Sequence, residues 1–106
     1  MATYATQDIT TAGTAITYTA ASAADRFLPA DRVFMHVKNA NAGSVTVTIA
    51  TPGTVDSLAV GDRIISIPTT QERMIALPDS LYRSSDGLGD VTFSPNASVT
   101  VAVVRI

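Results

Sequence analysis

Cysteine and tryptophan are absent from this 106-residue chain, and histidine and lysine occur once each, as His36 and Lys38. Without thiols, neither a disulfide framework nor a thiolate metal site can form, and cysteine usage leaves the redox compartment open. A lone imidazole has no second ligand or relay partner to work with, so His36 reads as a half-exposed strand residue. Charged residues make up only 15% of the chain, against roughly 25% in ordinary globular domains. The net charge is −2, and the arginines are scattered at positions 26, 32, 63, 73, 83 and 105. Nucleic-acid binding needs clustered cations to neutralise phosphates, so it is not expected. No apolar stretch approaches the ~18 residues of a membrane helix. The start, Met1-Ala-Thr-Tyr-Ala-Thr6, lacks the cationic and apolar regions of a signal peptide. The sequence contains no G-x-S-x-G, no G-x-x-x-x-G-K-[ST] and no G-x-G-x-x-G, which removes the common serine-nucleophile and phosphate-cradle motifs.

What is present is strand periodicity. The hydrophobic fraction is 46%, and fifteen threonines stand where lysine and glutamate would be usual. Threonine suits a pleated, half-buried surface. A surface so thinly charged also resembles the charge-depleted centre of a protein–protein interface. One domain is expected at this length, with a core that closes without staples.

Residues 1–14 are small, polar and carry only Asp8, and they read as an extended N-terminal arm ahead of a domain over 15–106. Tyr4 and Ile9 give that arm something to bury on a neighbouring molecule. Ala15–Thr19 reads as a short strand. Ser22-Ala-Ala-Asp25 fits a helix-capping pattern, which Pro29 cuts short. Phe27 and Leu28 are expected to plug the core. In Arg32–Asn39, Val33, Met35 and Val37 share the inner face, with Phe34, His36 and Lys38 outside. In Ser44–Ala50, Val45, Val47 and Ile49 face inward and Thr46 and Thr48 outward. The turn Asn39–Gly43 between these runs predicts a hairpin. Pro52-Gly53 predicts a type II turn, and Val55–Val60 an irregular stretch carrying Leu58 and Val60. Strands follow at Asp62–Ile67 and Glu72–Leu77, then a single 3₁₀ turn over Asp79–Arg83 and a flexible loop over Ser84–Asp90. Val91–Ser94 and Ser98–Arg105 predict a final hairpin. The whole is an all-β, single-domain antiparallel sandwich or small barrel of about seven or eight strands.

Candidate sites are few. Asp86-Gly-Leu-Gly-Asp90 offers two carboxylates to a hard cation, but Asp-Gly is also a turn signal and the spacing is not that of an EF-hand. Asn96-Ala-Ser98 matches the glycosylation pattern yet reads as a turn. Tyr4, Tyr18 and Tyr82 could stack on sugars, but lie in distant segments. No catalytic residue, cofactor or metal is assigned.

The run Val-Thr-Ile-Ala-Thr-Pro-Gly-Thr-Val-Asp, Val47 to Asp56, within Val37–Arg63, resembles a family of small β-rich virion structural proteins. These belong to tailed double-stranded DNA bacteriophages, especially those of actinobacteria. The similar stretch covers about Arg32 to Ile106, including the Leu77-Pro-x-x-x-Tyr82 step. The resemblance implies a capsid decoration protein, made in the host cytoplasm and placed on the virion surface. Its partner would be the major capsid protein. By analogy with decoration proteins at three-fold lattice positions it would form a homo-oligomer, with a trimer as first expectation. The expected contacts are the arm Thr3–Thr14, the Asn39–Gly43 turn and the Ser84–Asp90 loop, represented by Thr3, Tyr4, Ile9, Asn39, Asn41, Asp86 and Leu88. A head–tail joining or tail subunit and a carbohydrate-binding adhesion module are the alternatives.

Overall fold

Alternation of apolar and polar side chains at every second residue gives strands with one buried face, and here two such sheets stack on each other. The computed structural model describes residues 3–59 and 61–106. In chain order the elements are β1 (Thr6–Asp8), β2 (Thr19–Ala20), β3 (Ala24–Phe27), β4 (Val33–Asn39), β5 (Val45–Ile49), β6 (Thr54–Val55), β7 (Leu58–Ala59), β8 (Arg63–Ile67), β9 (Glu72–Ala76), α1 (Asp79–Tyr82), β10 (Gly89–Ser94) and β11 (Val99–Arg105). The first sheet runs β3-β10-β5-β8. The second runs β1-β11-β4-β9, with β2 also on β11. The chain is therefore an all-β sandwich, with one helical turn at α1.

The inner faces are those the alternation predicts. Val33, Met35 and Val37 are buried on β4, and Val45, Val47 and Ile49 on β5. Val91 and Phe93 on β10 and Val99, Val101 and Val103 on β11 complete the same core. Each fully buried Val or Ile stabilises the fold by roughly 1.5–3 kcal/mol. Phe27 enters from β3 and meets Tyr82 edge-on, with ring centroids 6.3 Å apart. Leu28, expected beside it, is instead 43% exposed. One residue of shift along a strand turns the side chain to the other face.

Both expected hairpins are crossovers. β4 pairs with β9 and β11, whereas β5 pairs with β8 and β10. The Asn39–Gly43 turn therefore carries the chain from one sheet to the other, and so does the turn between β10 and β11. Buried Asn39 explains the first crossing. Its Nδ2 donates to the carbonyls of Ile67 and Pro68, at 2.9 and 3.2 Å, and its Oδ1 accepts from the Asn41 N–H. The amide fastens the end of β4 to the end of β8 in the opposite sheet.

Other local expectations also shift. Ser22–Asp25 makes capping-type hydrogen bonds, with the Ser22 N–H donating to Asp25 Oδ2 at 3.0 Å, but they turn the chain into β3 rather than a helix. The strand expected at Ala15–Thr19 is confined to Thr19–Ala20. Gly53 lacks the positive φ of a type II turn; Asp56 and Ser57 have φ of 52° and 65° instead. Those two angles form the two-residue turn of a β6–β7 hairpin, in the stretch expected to be irregular. Leu58 there is exposed. Val60 lies outside the described residues, as do Met1 and Ala2 of the expected arm.

Candidate interaction surfaces

The N-terminal segment is part of the sandwich rather than an arm reaching outward. Thr3 bridges Arg26 on β3, and the Tyr4 N–H donates to the Arg26 carbonyl at 2.9 Å. Two residues later β1 runs parallel to β11, with Thr6 opposite Val103 and Asp8 opposite Arg105. The segment thus ties the edge of one sheet to the edge of the other. Tyr4 is buried, and its hydroxyl donates to Asp25, itself 1% exposed. Asp25 also accepts from the Ser22 hydroxyl. Burial first, then the hydrogen bond to Asp25 and its negative charge, push the Tyr4 phenol well above the usual tyrosine range. A tyrosine so placed cannot reach a neighbouring molecule, which corrects its assignment as a contact residue.

Asn39 is corrected on the same ground, since its side chain is 3% exposed and fully engaged at the sheet crossing. Asn41 is half-buried, donating from Nδ2 to the Ala97 carbonyl at 2.9 Å. Both lie at the end of the sandwich where β4 gives way to β5 and β10 to β11. Asp86 and Leu88 lie at the other end, where β3 ends and β10 begins. Ile9 is there too, 41% exposed, with its N–H on the Arg105 carbonyl. The seven expected contact residues therefore do not form one surface. Thr3, Ile9, Asp86 and Leu88 gather toward one end and Asn39 and Asn41 mark the opposite one.

The Ser84–Asp90 loop is closely hydrogen-bonded. The Ser84 hydroxyl lies 2.6 Å from both Asp86 Oδ1 and the Leu88 carbonyl. Asp86 and Asp90 converge on the Arg26 guanidinium, at 2.6 and 2.8 Å. The Ser84 hydroxyl, then Arg26, hold the Asp86 carboxyl at about 2. The two carboxylates that could have offered a cation site thus neutralise an arginine. At the start of β10, Gly89 lies under Phe27, where a Cβ would meet the ring at 2.5 Å.

His36 has partners that its isolation in the sequence concealed. Its Nδ1 lies 2.7 Å from the Tyr18 hydroxyl and its Nε2 2.9 Å from Glu72 Oε1. Lys38 Nζ sits 4.0 Å over the Tyr18 ring. The register makes this possible, since β4 and β9 place His36 opposite Met74 and Lys38 opposite Glu72. The cluster fastens the chain before β2 onto the outer face of the second sheet. Tyr4 and Tyr82 are buried and Tyr18 is half-covered by Lys38, so the three tyrosines do not make a platform for a sugar ring.

Two exposed apolar side chains on long strands were not among the expected sites. Among the described residues β8 pairs only with β5 and β9 only with β4, so both are edge strands on the same flank. Ile64, 66% exposed, lies on the outer face of the first sheet and Met74, 62% exposed, on that of the second, with Leu81 of α1 lining a cleft beside each. The signal in the sequence was the run Ile64-Ile65-Ser66-Ile67, which is too apolar for a strand with one solvent face.

Among the described residues no group of three or more His, Asp or Glu side chains is placed to hold a metal ion, and no helix is long and apolar enough to cross a membrane. No protein family, curated protein or solved structure matches this chain.

Proposed function

We propose that this protein is a bacteriophage virion structural protein, specifically a capsid decoration protein that binds and stabilises the head lattice. The observation that carries the reading is the pairing of a well-packed scaffold with a thinly charged surface. Only 15% of residues are charged, while Ile64, Met74, Leu58 and Ile106 are each more than 60% exposed. Such a surface favours contact with other proteins over solvation. The resemblance over Arg32–Ile106 supplies the virion context. A cement protein needs no catalysis. It binds the assembled shell and stabilises it by mass action.

The test is co-sedimentation of the purified protein with empty capsids of the phage that encodes it. Saturable binding at a fixed ratio, with a raised capsid melting temperature, is expected. Failure to bind, with the protein found instead at the portal or tail of virions, would move it to the head–tail class. Absence from virions would end the virion reading.

A further inference from the structure

We propose that the flank between β8 and β9 is a docking groove for an extended strand of a partner protein whose side chains alternate apolar and acidic. Three observations meet there. First, each edge strand leaves one row of backbone N–H and C=O groups without a strand partner among the described residues, a template for strand addition. Second, the gap between the edges is a groove of about 410 Å³ lined by Ile65, Met74, Leu81 and Tyr82 together with Arg63 and Arg73. Third, neither arginine is in an ion pair among the described residues. Arg73 donates only to the Glu72 carbonyl and the Gln71 side chain. The acids nearest in sequence point to other tasks, because Asp62 accepts from the Thr51 N–H and Glu72 holds His36.

The cations decide between occupants. A second copy pairing edge to edge would bring the same two arginines to the interface, and like charges across it are unfavourable. Each edge strand is also only five residues long. That is short for the ~800 Å² per partner that a stable dimer buries. A single strand needs less area. Added along β9, its backbone would continue a sheet, its apolar side chains would fall on the Met74 side and its carboxylates on the Arg73 side, with Arg63 across the gap. The groove suits such a strand whether or not the protein belongs to a virion.

The probe is a ten-residue synthetic peptide alternating valine and glutamate, titrated into isotope-labelled full-length protein and followed by amide shifts. A valine–lysine peptide serves as control. The expected result is saturable binding with shifts confined to Arg63–Ile67, Glu72–Ala76 and α1. Affinity should fall at least tenfold in the Arg63→Glu, Arg73→Glu double variant and in 0.5 M salt. Arg63→Gln, which carries no new charge, should weaken binding less than the double variant while leaving the melting temperature unchanged. No binding of the glutamate peptide, equal binding of the lysine peptide, or shifts elsewhere would overturn the proposal. A free protein that sediments as a dimer, split by Ile64→Asp, would instead give the edge to a second copy.

Discussion

At the flank formed by β1 and β3, residues Thr3 to Asp8 cross from one sheet to the other, satisfy both edges and bury Tyr4 against Asp25. At the flank formed by β8 and β9 nothing crosses among the described residues, and isoleucine and methionine side chains meet solvent. The two flanks face the same problem, since a sandwich always has two pairs of edges. One is solved by the chain's own terminus at the cost of burying a carboxylate. The other is left with two arginines as its guard, which suits pairing with a partner of opposite charge. The sealed flank is where stability should be sensitive to mutation, and the open flank is where binding should be.

The largest expected effect is at the sealed flank. Asp25→Ala removes the acceptor for Tyr4, for the Ser22 hydroxyl and for the Ser22 N–H. Leaving the buried Tyr4 donor unpaired costs about 1–3 kcal/mol, and half-buried Ser22, whose hydroxyl keeps the Ala24 carbonyl, adds less, so a loss of ~2 kcal/mol or more in urea unfolding is expected. A loss below ~1 kcal/mol would mean that the seal contributes little. Next is Gly89→Ala, whose methyl would press into the Phe27 ring beneath the same flank. Overpacking of this kind costs about 1–3 kcal/mol. A melting temperature unchanged from wild type would contradict the close contact.

The sealed flank should also respond to alkali. The folded state holds the Tyr4 proton above the usual tyrosine range, chiefly through burial, whereas the unfolded chain releases it near pH 10. The folded state then binds more protons, so the stabilisation is complete below pH ~10 and is lost as pH rises beyond it. The stability difference between wild type and Tyr4→Phe should narrow above that pH. A constant difference up to pH 11 would show that Tyr4 ionises as freely folded as unfolded. The smallest effect belongs to the open flank. Ile64→Thr keeps the β-branch on an exposed strand position and should change stability by less than about 0.5 kcal/mol. A larger loss would mean that the side chain is packed and the flank is not open.

The sequence made one part of this legible and hid another for a physical reason. Alternation in Val33–Asn39 and Val45–Ile49 identified which side chains face the core, because a period of two is a local property. It could not say which sheet each strand joins. A strand returning beside its neighbour and a strand crossing to face it present the same inward pattern. The connection at Asn39–Gly43 was read as a hairpin from its turn residues. What makes it a crossing is the Asn39 amide reaching Ile67 and Pro68, a contact 28 or more residues away. Tyr4 was legible as something to bury, but its partner Asp25 was read as part of a helix cap. His36 looked solitary because Tyr18 and Glu72 come to it only through the pairing of β4 with β9 and the placement of the chain ahead of β2. The open flank was readable in Ile64 once β8 was known to be an edge.

The most direct measurement is electron cryo-microscopy, at side-chain resolution, of virions of the phage proposed to carry this protein. The account predicts the sandwich at fixed positions on the outer shell, with the β8–β9 flank turned toward a shell protein and an extended strand lying along it. A sandwich on the shell with that flank facing solvent would contradict the docking groove alone. A particle without the protein would contradict the virion assignment and leave the groove to be judged by the peptide titration.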